Sequence, residues 1–335
     1  MTYNTIKATE KDGAQMLKLF EQSEIRAPIE MILTRRPNAV LSYKKENKDA
    51  RIFLVKSDNE IILQVACLVH ELFVDGKPAR VGYLCGLRKK SGIFRINYSE
   101  LTQTIFDECK CDVYYANIID GNPRATKFLT KGHSQLPSFH PLCKYTSFVF
   151  RIKKTKTSNE FVFRRAGGMD NSRIAKFLQE QRQEHNLFPS FDLNQFANLN
   201  IGDFYLLEQN NEILCVCALW WQEGFKQYMV KRYNGIVRAF SFLPAFPKVN
   251  EVIKNPIISF FIAKNENTKY YKEMLKRIGN VIKPKSKLYT VGAIQNSILY
   301  EILSKKMNAA RFDSTIYTIN KPLSGEKIHI EGGLL

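Results

Sequence analysis

Three apolar segments separated by turn signals lie in the first third of the chain. Residues 51–57 (RIFLVKS) and 60–73 (EIILQVACLVHELF) are rich in β-branched and aliphatic side chains, and an Asp-Asn pair separates them. An Asp-Gly pair at 75–76, which is typical of two-residue hairpins, precedes a third such segment at 80–88 (RVGYLCGLR). The pattern predicts a meander of three antiparallel strands.

Helical patterns flank this meander. A short extended segment at 5–8 precedes residues 11–21, where apolar side chains at helical spacing (Met16, Leu17, Leu19, Phe20) predict a helix. After the meander the predicted elements are a helix, a strand, a helix and a strand, at residues 98–109, 113–118, 123–131 and 144–152. This order mixes antiparallel hairpins with strand–helix–strand units, so a mixed α/β fold is expected.

The second half of the chain repeats the pattern. FLVKSDNEIILQVACL at 53–68 aligns without a gap to YLLEQNNEILCVCALW at 205–220, an offset of 152 residues. The further elements predicted in this half are at 161–165, 170–183, 257–263, 269–278, 287–293, 297–305 and 314–319. We therefore predict two tandem domains, 1–152 and 161–321, with a basic linker at 153–160. A segment rich in Pro and Asn at 244–256 is predicted to be an inserted loop.

The order of elements resembles the GNAT (Gcn5-related) N-acetyltransferase superfamily. IKATEKDGAQMLKLF at 6–20 is similar to its opening strand and helix, and VGYLCGLR at 81–88 to its fourth strand. ANIIDGNPRATKFLTKG at 116–132 resembles its fifth strand and the helix with an Asn-x-x-Ala motif, which here begins at Asn122. CALWWQEGFKQ at 217–227 resembles the C-terminal partner of tandem bacterial members. The resemblance implies two tandem GNAT-like domains, each a mixed, mostly antiparallel sheet flanked by helices.

The resemblance also implies a chemistry, the transfer of an acyl group, with acetyl expected, from acyl-coenzyme A to the amine of an unidentified small molecule or peptide. In such enzymes the pyrophosphate sits on amides at a helix N-terminus, and an amide of the fourth strand holds the thioester carbonyl. The candidate cofactor-binding residues that this carries over to the first domain are Leu87, Arg88, Lys89, Lys90, Arg95, Ile96, Asn97, Tyr98 and Asn122.

The cofactor loop departs from the family motif Gln/Arg-x-x-Gly-x-Gly/Ala. If Arg95 begins the motif, Tyr98 and Glu100 replace both glycines; if Lys89 begins it, Gly92 matches the first glycine and the second is missing. A carboxylate at residue 100 would repel a pyrophosphate, whereas the basic side chains of the loop would attract it. The alternatives are a cationic cofactor site and a basic loop that binds nothing.

Candidate general bases lie near the end of the third predicted strand. Glu71 is preferred and His70 is the alternative. Because successive strand residues face opposite sides, at most one of them can point into a cleft, and the other interpretation is that both are solvated hairpin residues. Leu129 stands where members of the family often carry a proton-donating Tyr, which removes the most obvious general acid.

The second domain lacks a glycine loop altogether. Lys264 and Asn265 follow its fourth predicted strand, but Glu266 is adverse to phosphate. We expect this domain not to bind coenzyme A and to serve the structure or the acceptor pocket. Trp220 and Trp221, at a strand end, are interpreted as packing residues, with the lining of a pocket as the alternative.

A net charge of +18 adds a second hypothesis. Such an excess attracts polyanions, so the alternative is an inactive duplicated protein that binds an anionic partner such as nucleic acid, although the aromatic-studded basic motif of single-strand RNA binders is absent. No stretch is apolar enough to span a membrane and the N-terminal residues lack an apolar signal core, so a cytoplasmic protein without membrane association is expected.

The cysteines and histidines predict no metal site. Seven cysteines, an odd number, are expected to be reduced thiols. The two C-x-C pairs, at 109/111 and 215/217, are more closely spaced than usual zinc ligands, and core packing is the interpretation for 215/217. The five histidines are dispersed.

Overall fold

The structure, a computed structural model, describes most of the chain. The ranges it describes are 3–22, 29–92, 94–132, 134–153, 155–181, 185–196, 198–242, 247–306, 309–323 and 327–335. Within these ranges, no helix has the length and apolar character needed to cross a lipid bilayer.

The first half has the predicted order of elements, with a strand and a helix added before the meander. Its strands are β1 (Tyr3–Lys7), β2 (Ile29–Thr34), β3 (Ala50–Ser57), β4 (Glu60–Val74), β5 (Lys77–Lys89), β6 (Val113–Ile119) and β7 (Phe139–Arg151). Its helices are α1 (Gly13–Glu21), α2 (Ala39–Glu46), α3 (Tyr98–Cys109) and α4 (Pro123–Thr130). The unpredicted elements, β2 and α2, are short, and α2 has two turns stabilised by packing rather than by propensity.

The second half repeats the order with short additional strands. Its strands are β8 (Val162–Arg165), β9 (His185–Asn186), β10 (Phe188–Pro189), β11 (Phe204–Gln209), β12 (Glu212–Trp220), β13 (Gln227–Tyr233), β14 (Ile257–Ala263), β15 (Leu288–Ile294), β16 (Ala309–Ile319) and β17 (Lys327–Ile328). Its helices are α5 (Asp170–Gln181), α6 (Gly235–Phe240), α7 (Thr268–Ile282) and α8 (Ile298–Ser304). The predicted end of α5 at 183 lies outside the described residues. The predicted loop at 244–256 is described from residue 247 onward. There Val252 forms an isolated antiparallel β-bridge with Met229 of β13.

The sequence repeat is also a repeat of backbone irregularities. β3 and β4 form an antiparallel hairpin whose register shifts between Val55 and Lys56. β11 and β12 form the corresponding hairpin, and its register shifts between Leu207 and Glu208, again at an offset of 152 residues. Because a one-residue register shift moves the following side chains to the other face of the sheet, the matched shifts keep equivalent residues of the two hairpins on equivalent faces.

The two halves share one large sheet because each contributes its last strand to the other. The strand order is β1-β3-β4-β5-β6-β16-β7-β15-β14-β12-β11-β8, with β10 pairing with β4. β16, from the second half, pairs with β6, and β7, from the first half, pairs with β15. The linker at 153–160 therefore does not mark a break in the sheet.

The sheet buries apolar side chains on both of its faces. On one face a single cluster runs through both halves and includes Phe20, Tyr43 and Tyr83 together with Trp220 and Phe260. On the other face the clusters are separate, one beneath α3 and one beneath α7 and α8. The continuous face is thus where residues from the two halves can form a joint site.

Candidate functional site

β5 and β6 are parallel neighbours that separate partway along their length. Their pairing runs from Val81 with Val113 to Leu84 with Ala116. Beyond that point β5 continues to Lys89 and β6 to Ile119 without pairing to each other. A crevice therefore opens between the carboxyl ends of two adjacent parallel strands, which is where open α/β sheets bind ligands.

A β-bulge in β5 lies at the mouth of this crevice. Cys85 pairs with Ala66 and Arg88 with Gln64, so that Gly86 and the residue after it face a single residue of β4. Gly86 has φ of +65°, and a Cβ at this position would overlap the hydroxyl of Tyr43. Glycine is thus required here both by the left-handed backbone and by the close approach of the tyrosine.

The second half contains the same crevice and the same bulge. β14 and β15 are parallel only at Ile257 and Ile258, and the register of β12 against β14 shifts opposite Phe260. Phe260 has φ of +49°, so it takes the left-handed conformation that Gly86 takes in the first half. An offset of 174 residues relates the two positions.

The C-terminal segment occupies the second crevice. The Glu331 carboxylate accepts a hydrogen bond from the amide of Phe260, at 2.7 Å, and another from the amide of Gly333, at 3.2 Å. The short helical turn Gly332–Leu334 lies against β14 and β15. A Cβ on Gly333 would overlap Trp220 and Ser259. The bulge amide of Phe260 is therefore already satisfied in this half.

Unpaired buried polar atoms lie beside the first crevice. Within the described part of the chain, Arg88 Nε, both side-chain heteroatoms of Gln64, and Asn117 Oδ1 are buried without a hydrogen-bond partner. Gln64 and Arg88 are register partners and so share a face of the sheet. Burial lowers the pKa of Arg88, whose guanidinium lies 5.2 Å from the centroid of the Phe20 ring. Buried polar atoms are normally satisfied, so this cluster suits a polar ligand or water.

Three buried charges meet where the two halves join. Arg35 Nη2 lies 2.6 Å from Glu46 Oε2, and Lys226 Nζ lies 3.5 Å from Glu46 Oε1. Burial opposes ionisation of Glu46, but the charges of Arg35 and Lys226 outweigh it and lower its pKa. Lys226 also donates to the main-chain oxygen of Leu335. The arrangement holds a carboxylate ionised inside the protein.

Tyr43 connects this charge cluster to the bulge. Its ring lies beneath the Arg35 guanidinium, 3.6 Å from ring centroid to Cζ, and its hydroxyl faces Gly86. Burial raises the pKa of Tyr43, so the hydroxyl remains protonated at neutral pH. Tyr43 therefore offers a proton donor at the bulge that the sequence did not reveal.

The ribbon of β2 and β13 fixes these residues. The two strands pair antiparallel, with Thr34 opposite Gln227. The Gln227 side chain accepts from the amide of Arg36, at 2.9 Å, and donates to its carbonyl, at 3.2 Å. Ser42 donates to the carbonyl of Phe225. Arg35, which follows β2, and Lys226, which precedes β13, are thereby held against α2.

The predicted bases do not lie at the crevice. Glu71 is exposed and lies near the far end of β4. It is six residues from Val65, the residue that faces the bulge, and six residues span about 20 Å along a strand. The Glu71 amide donates to Gln195. His70 is not solvated, contrary to one of the two interpretations: it is 3% exposed, and burial lowers its pKa to about 4. The side-chain nitrogen of Asn47, Nδ2, lies 3.2 Å from Nδ1 of His70.

The basic residues after β5 have local partners. The Lys89 ammonium donates to the carbonyl of Gly92, at 2.9 Å. The Lys90 ammonium pairs with Glu60, at 2.5 Å, and its amide donates to Ile62. Leu87 packs in the cluster beneath α3.

The rest of the loop leads into α3. Arg95 is exposed and Ile96 is buried in the same apolar cluster. Asn97 caps α3 by accepting from the amide of Glu100, at 3.1 Å, and the Glu100 carboxylate lies at the same helix end. Tyr98 packs against Phe128 of α4, with ring centroids 5.1 Å apart. The side chain of Asn97 and an acidic residue thus occupy the helix end that the resemblance assigns to a pyrophosphate.

Asn122 lies on the other side of the crevice and caps α4. Its Oδ1 accepts from the amide of Ala125, at 3.1 Å. Asn122 and the α3 end are therefore structured by their own side chains, while the unpaired polar atoms lie deeper, at the divergence of the strands.

The corresponding loop of the second half forms a polar depression. Lys264, Asn265 and Tyr270 line an open space of about 710 Å³ beside the β11–β12 turn. Lys264 pairs with Glu212, as Lys90 pairs with Glu60 in the first half. This depression lies at the surface, away from the buried charges.

Five residues of the site were not among the sequence-based predictions: Arg35, Tyr43, Glu46, Lys226 and Glu331. A weak signal existed in α2, where Ala39, Val40, Tyr43 and Glu46 fall on one buried face, so that a carboxylate occupies an otherwise apolar stripe. The partners of that carboxylate come from distant parts of the chain and leave no local pattern.

Comparisons with known proteins agree with the fold. No protein-family model and no curated protein matches the sequence. Among solved structures, Saccharomyces cerevisiae N-myristoyltransferase with bound myristoyl-CoA is similar over 97% of this chain and 80% of its own, with a TM-score of 0.61 and 8% identity. A GCN5-related N-acetyltransferase from Kribbella flavida is similar over 94% of this chain and 71% of its own (TM-score 0.52, 9% identity).

A second bacterial structure gives the same result. A GCN5-related N-acetyltransferase from Anabaena variabilis covers 95% of this chain, and the chain covers 72% of it, with a TM-score of 0.52 and 9% identity. Identities this low establish architecture rather than activity. The predicted mixed α/β class is confirmed, and the chain has the GNAT fold in tandem, with last strands exchanged between the halves.

Proposed function

We propose that the protein is an acyl-coenzyme A-dependent N-acyltransferase whose first half holds the cofactor. One observation supports this assignment above the others. Both halves contain diverging strands and a left-handed bulge, but Glu331 satisfies the bulge amide of the second half. The first crevice, with Gly86 at its mouth, is the one left for a thioester.

The cofactor phosphates are bound by side chains in this proposal. Asn97 caps α3, and the Glu100 carboxylate accepts from the Asn97 side chain at the same helix end, which weakens this N-terminus as an anion site. Lys89 and Arg95 are exposed on the loop and supply the compensating charge. The pantetheine enters between β5 and β6, and its amides meet the unpaired Gln64 and Asn117.

Tyr43 donates a hydrogen bond to the leaving sulfur. Its hydroxyl faces the bulge, and because burial raises its pKa the hydroxyl is protonated at neutral pH and available as a donor. Arg35, stacked on the ring, stabilises negative charge that develops there.

The acceptor is the amine of a small molecule or a peptide, and acetyl is the first acyl group to test. The similar solved structures include a GCN5-related N-acetyltransferase and an N-myristoyltransferase with bound myristoyl-CoA. A long-chain acyl-coenzyme A is therefore the second cofactor to test.

Thermal unfolding with and without coenzyme A or acetyl-coenzyme A tests the proposal. A ligand at about 100 times its dissociation constant adds about 2.7 kcal/mol of stability, which raises the melting temperature measurably. We expect the double variant K89A/R95A to lose most of this increase. The matched control is K264A/K269A, which removes two positive charges from the corresponding region of the second half, one before α7 and one in its first turn.

Two results would contradict the proposal. A melting temperature unchanged by millimolar cofactor would exclude coenzyme A as the ligand. A loss of binding in K264A/K269A but not in K89A/R95A would assign the cofactor to the second half.

The second candidate function is binding of an anionic partner such as nucleic acid without catalysis. The observation that favours it is the net charge of +18. The carboxylate of Glu100 at the predicted phosphate site counts against the cofactor. It predicts retardation of an oligonucleotide that weakens steeply between low and moderate salt. Retardation that is independent of salt, or none, would exclude it.

A further inference from the structure

Arg88 carries a positive charge that no carboxylate of the described chain neutralises. Its Nη1 donates to the carbonyl of Leu87, at 2.9 Å, and its Nε is buried without a hydrogen-bond partner. Within the described ranges Arg88 forms no ion pair. Because the burial of an unpaired charge is unfavourable, this side chain suits an anion that reaches the protein from solution.

The residue opposite Arg88 on the sheet is also unsatisfied. Gln64 of β4 is the register partner of Arg88 and is 1% exposed. Neither its side-chain oxygen nor its side-chain nitrogen has a hydrogen-bond partner. Register partners have Cβ atoms about 4.5–5.5 Å apart. Gln64 Nε2 and the edge of the guanidinium formed by Nε and Nη2 can therefore bind the same small group.

This pair lies on the face of the sheet that the two halves share. Arg88 Cζ is 5.2 Å from the centroid of the Phe20 ring, and the centroids of Phe20 and Tyr43 are 6.2 Å apart. A Cβ on Gly86 would meet atoms of both rings. The cluster beneath α3 lies on the opposite face. Arg88 thus reaches the surroundings of the bulge and not the helix end assigned to the pyrophosphate.

A second guanidinium adds positive charge at the same place. Arg35 lies over the Tyr43 ring, and its Nε is buried without a partner. Its Nη2 pairs with Glu46, which Lys226 also contacts. Arg35, Lys226 and Arg88 therefore have a single carboxylate partner among them in the described part of the chain. A further carboxylate would be attracted to this site.

We propose that Arg88 and Gln64 bind a carboxylate of the acceptor, and that the acceptor is a small amine that also carries a carboxylate, such as an amino acid. The carboxylate oxygens accept from the Nε and Nη2 edge of Arg88 and from Gln64 Nε2, while Gln64 Oε1 is left for a pantetheine amide. A carboxylate matches the single charge of Arg88, whereas a phosphate brings about two negative charges. The identity of the acceptor rests on the proposed function, but the carboxylate site does not.

The acyl group is the other source from which a carboxylate could come, as in succinyl-coenzyme A. In the proposed function the phosphates lie at the loop after β5 and the thioester lies at Gly86. Arg88 stands between these two points on β5. An acyl group that extends past the bulge would move away from Arg88, so the acceptor is the source that this placement favours.

Thermal unfolding without any cofactor tests the carboxylate site. The common amino acids are added singly at millimolar concentration, each paired with the amine that lacks its carboxylate, such as histidine with histamine. We expect amino acids, but not the paired amines, to raise the melting temperature beyond the effect of sodium chloride at equal ionic strength. No rise with any amino acid, or an equal rise with chloride, would overturn the proposal.

Arg88→Gln should weaken the binding of the amino acid by about ten- to a hundredfold, the usual effect of losing a charge-assisted hydrogen bond. The matched control is Arg311→Gln, because Arg311 is exposed and its Cζ lies 5.5 Å from the centroid of the Phe148 ring. The control removes the same charge and a similar ring contact outside the crevice, so it should bind as the wild type does. Equal binding by both variants would refute the role of Arg88.

Gln64→Leu keeps the test decisive if Arg88→Gln does not fold. It removes a buried amide without partners, so the free protein should be at least as stable as the wild type. The increase in melting temperature with the amino acid should nevertheless become smaller. A purely structural role for Gln64 predicts the opposite, lower stability with an unchanged response, and that result would overturn the proposal.

Release of free coenzyme A from acetyl-coenzyme A separates this inference from the proposed function. Amino acids that bind while acetyl-coenzyme A neither binds nor reacts would support the carboxylate site and refute the proposed function. Acetylation of the paired amines as efficient as that of the amino acids would refute the acceptor assignment alone. An Arg88-dependent preference for succinyl- over butyryl-coenzyme A, without a preference among acceptors, would place the carboxylate on the acyl group and likewise overturn the proposal.

Discussion

Gly86 and Phe260 occupy the same position in the two halves of the protein, and both have a left-handed backbone. Each lies in a bulge on the strand that borders a crevice, at φ of +65° and +49° respectively. The Gly86 position faces the Tyr43 hydroxyl, whereas the Phe260 amide binds Glu331. Duplicated backbone geometry has thus been kept while its surroundings have diverged.

Replacing Gly86 with Ala should destabilise the protein strongly. The substitution combines a left-handed conformation, which costs an L-residue about 1–2 kcal/mol, with overlap of Cβ and the Tyr43 hydroxyl. Overpacking of a core adds about 1–3 kcal/mol. Urea unfolding measures the change in the free energy of unfolding.

Gly76→Ala is the matched control for this substitution. Gly76 has φ of +74° but open space around its Cβ position, so this variant should show the backbone cost alone. Tyr43→Phe in the Gly86→Ala background should recover part of the loss. Equal destabilisation by the two Gly→Ala substitutions would disprove the steric contribution of Tyr43.

Glu46→Gln should remove about 3–5 kcal/mol of stability, because it leaves Arg35 and Lys226 buried without a carboxylate. The control is Glu212→Gln, which breaks the exposed pair with Lys264 and should cost about 1 kcal/mol or less. Chemical denaturation at neutral pH gives both values. A small loss at both sites would mean that the interior accommodates the two cations with water.

The buried imidazole of His70 should make stability depend on pH in a defined window. Its pKa is about 4 in the folded protein and 6.5 ordinarily, so between these values the unfolded chain binds a proton that the folded protein does not. Stability should therefore be complete above pH 6.5 and decrease by about 3 kcal/mol as the pH falls to 4.

His70→Gln should flatten this part of the stability profile, measured by urea unfolding at several pH values. His140→Gln, at a half-buried position next to Ser138, is the control and should leave the slope unchanged. A profile for His70→Gln parallel to that of the wild type would assign the pH dependence to other groups.

Glu331→Ala should destabilise the protein by about 1–3 kcal/mol, because the buried amides of Phe260 and Gly333 lose their acceptor. Glu251→Ala is the control: this exposed carboxylate accepts from the amide of Lys248, and its loss should cost less than about 1 kcal/mol. Differential scanning calorimetry of the three proteins compares them directly. Similar melting temperatures for both variants would show that water replaces Glu331 in the second crevice.

Local patterns were sufficient for the order of elements. The apolar segments around Asp75-Gly76 became the β4–β5 hairpin, and the 152-residue offset between the two halves became matched hairpins with matched bulges. These features depend on residues close together in sequence, because turn geometry and side-chain alternation act over a few positions. The GNAT-like architecture follows from that order.

Other features depend on residues far apart in the chain. The exchange of β7 and β16 is a choice of pairing partner among strands of similar character, which alternation does not specify. The predicted bases Glu71 and His70 were placed by strand position, but burial and distance along β4 were not visible locally. Glu46 meets Lys226 because packing of the sheet brings those segments together. The ionisation of a buried group depends on which neighbours replace water, and those neighbours are set by long-range packing.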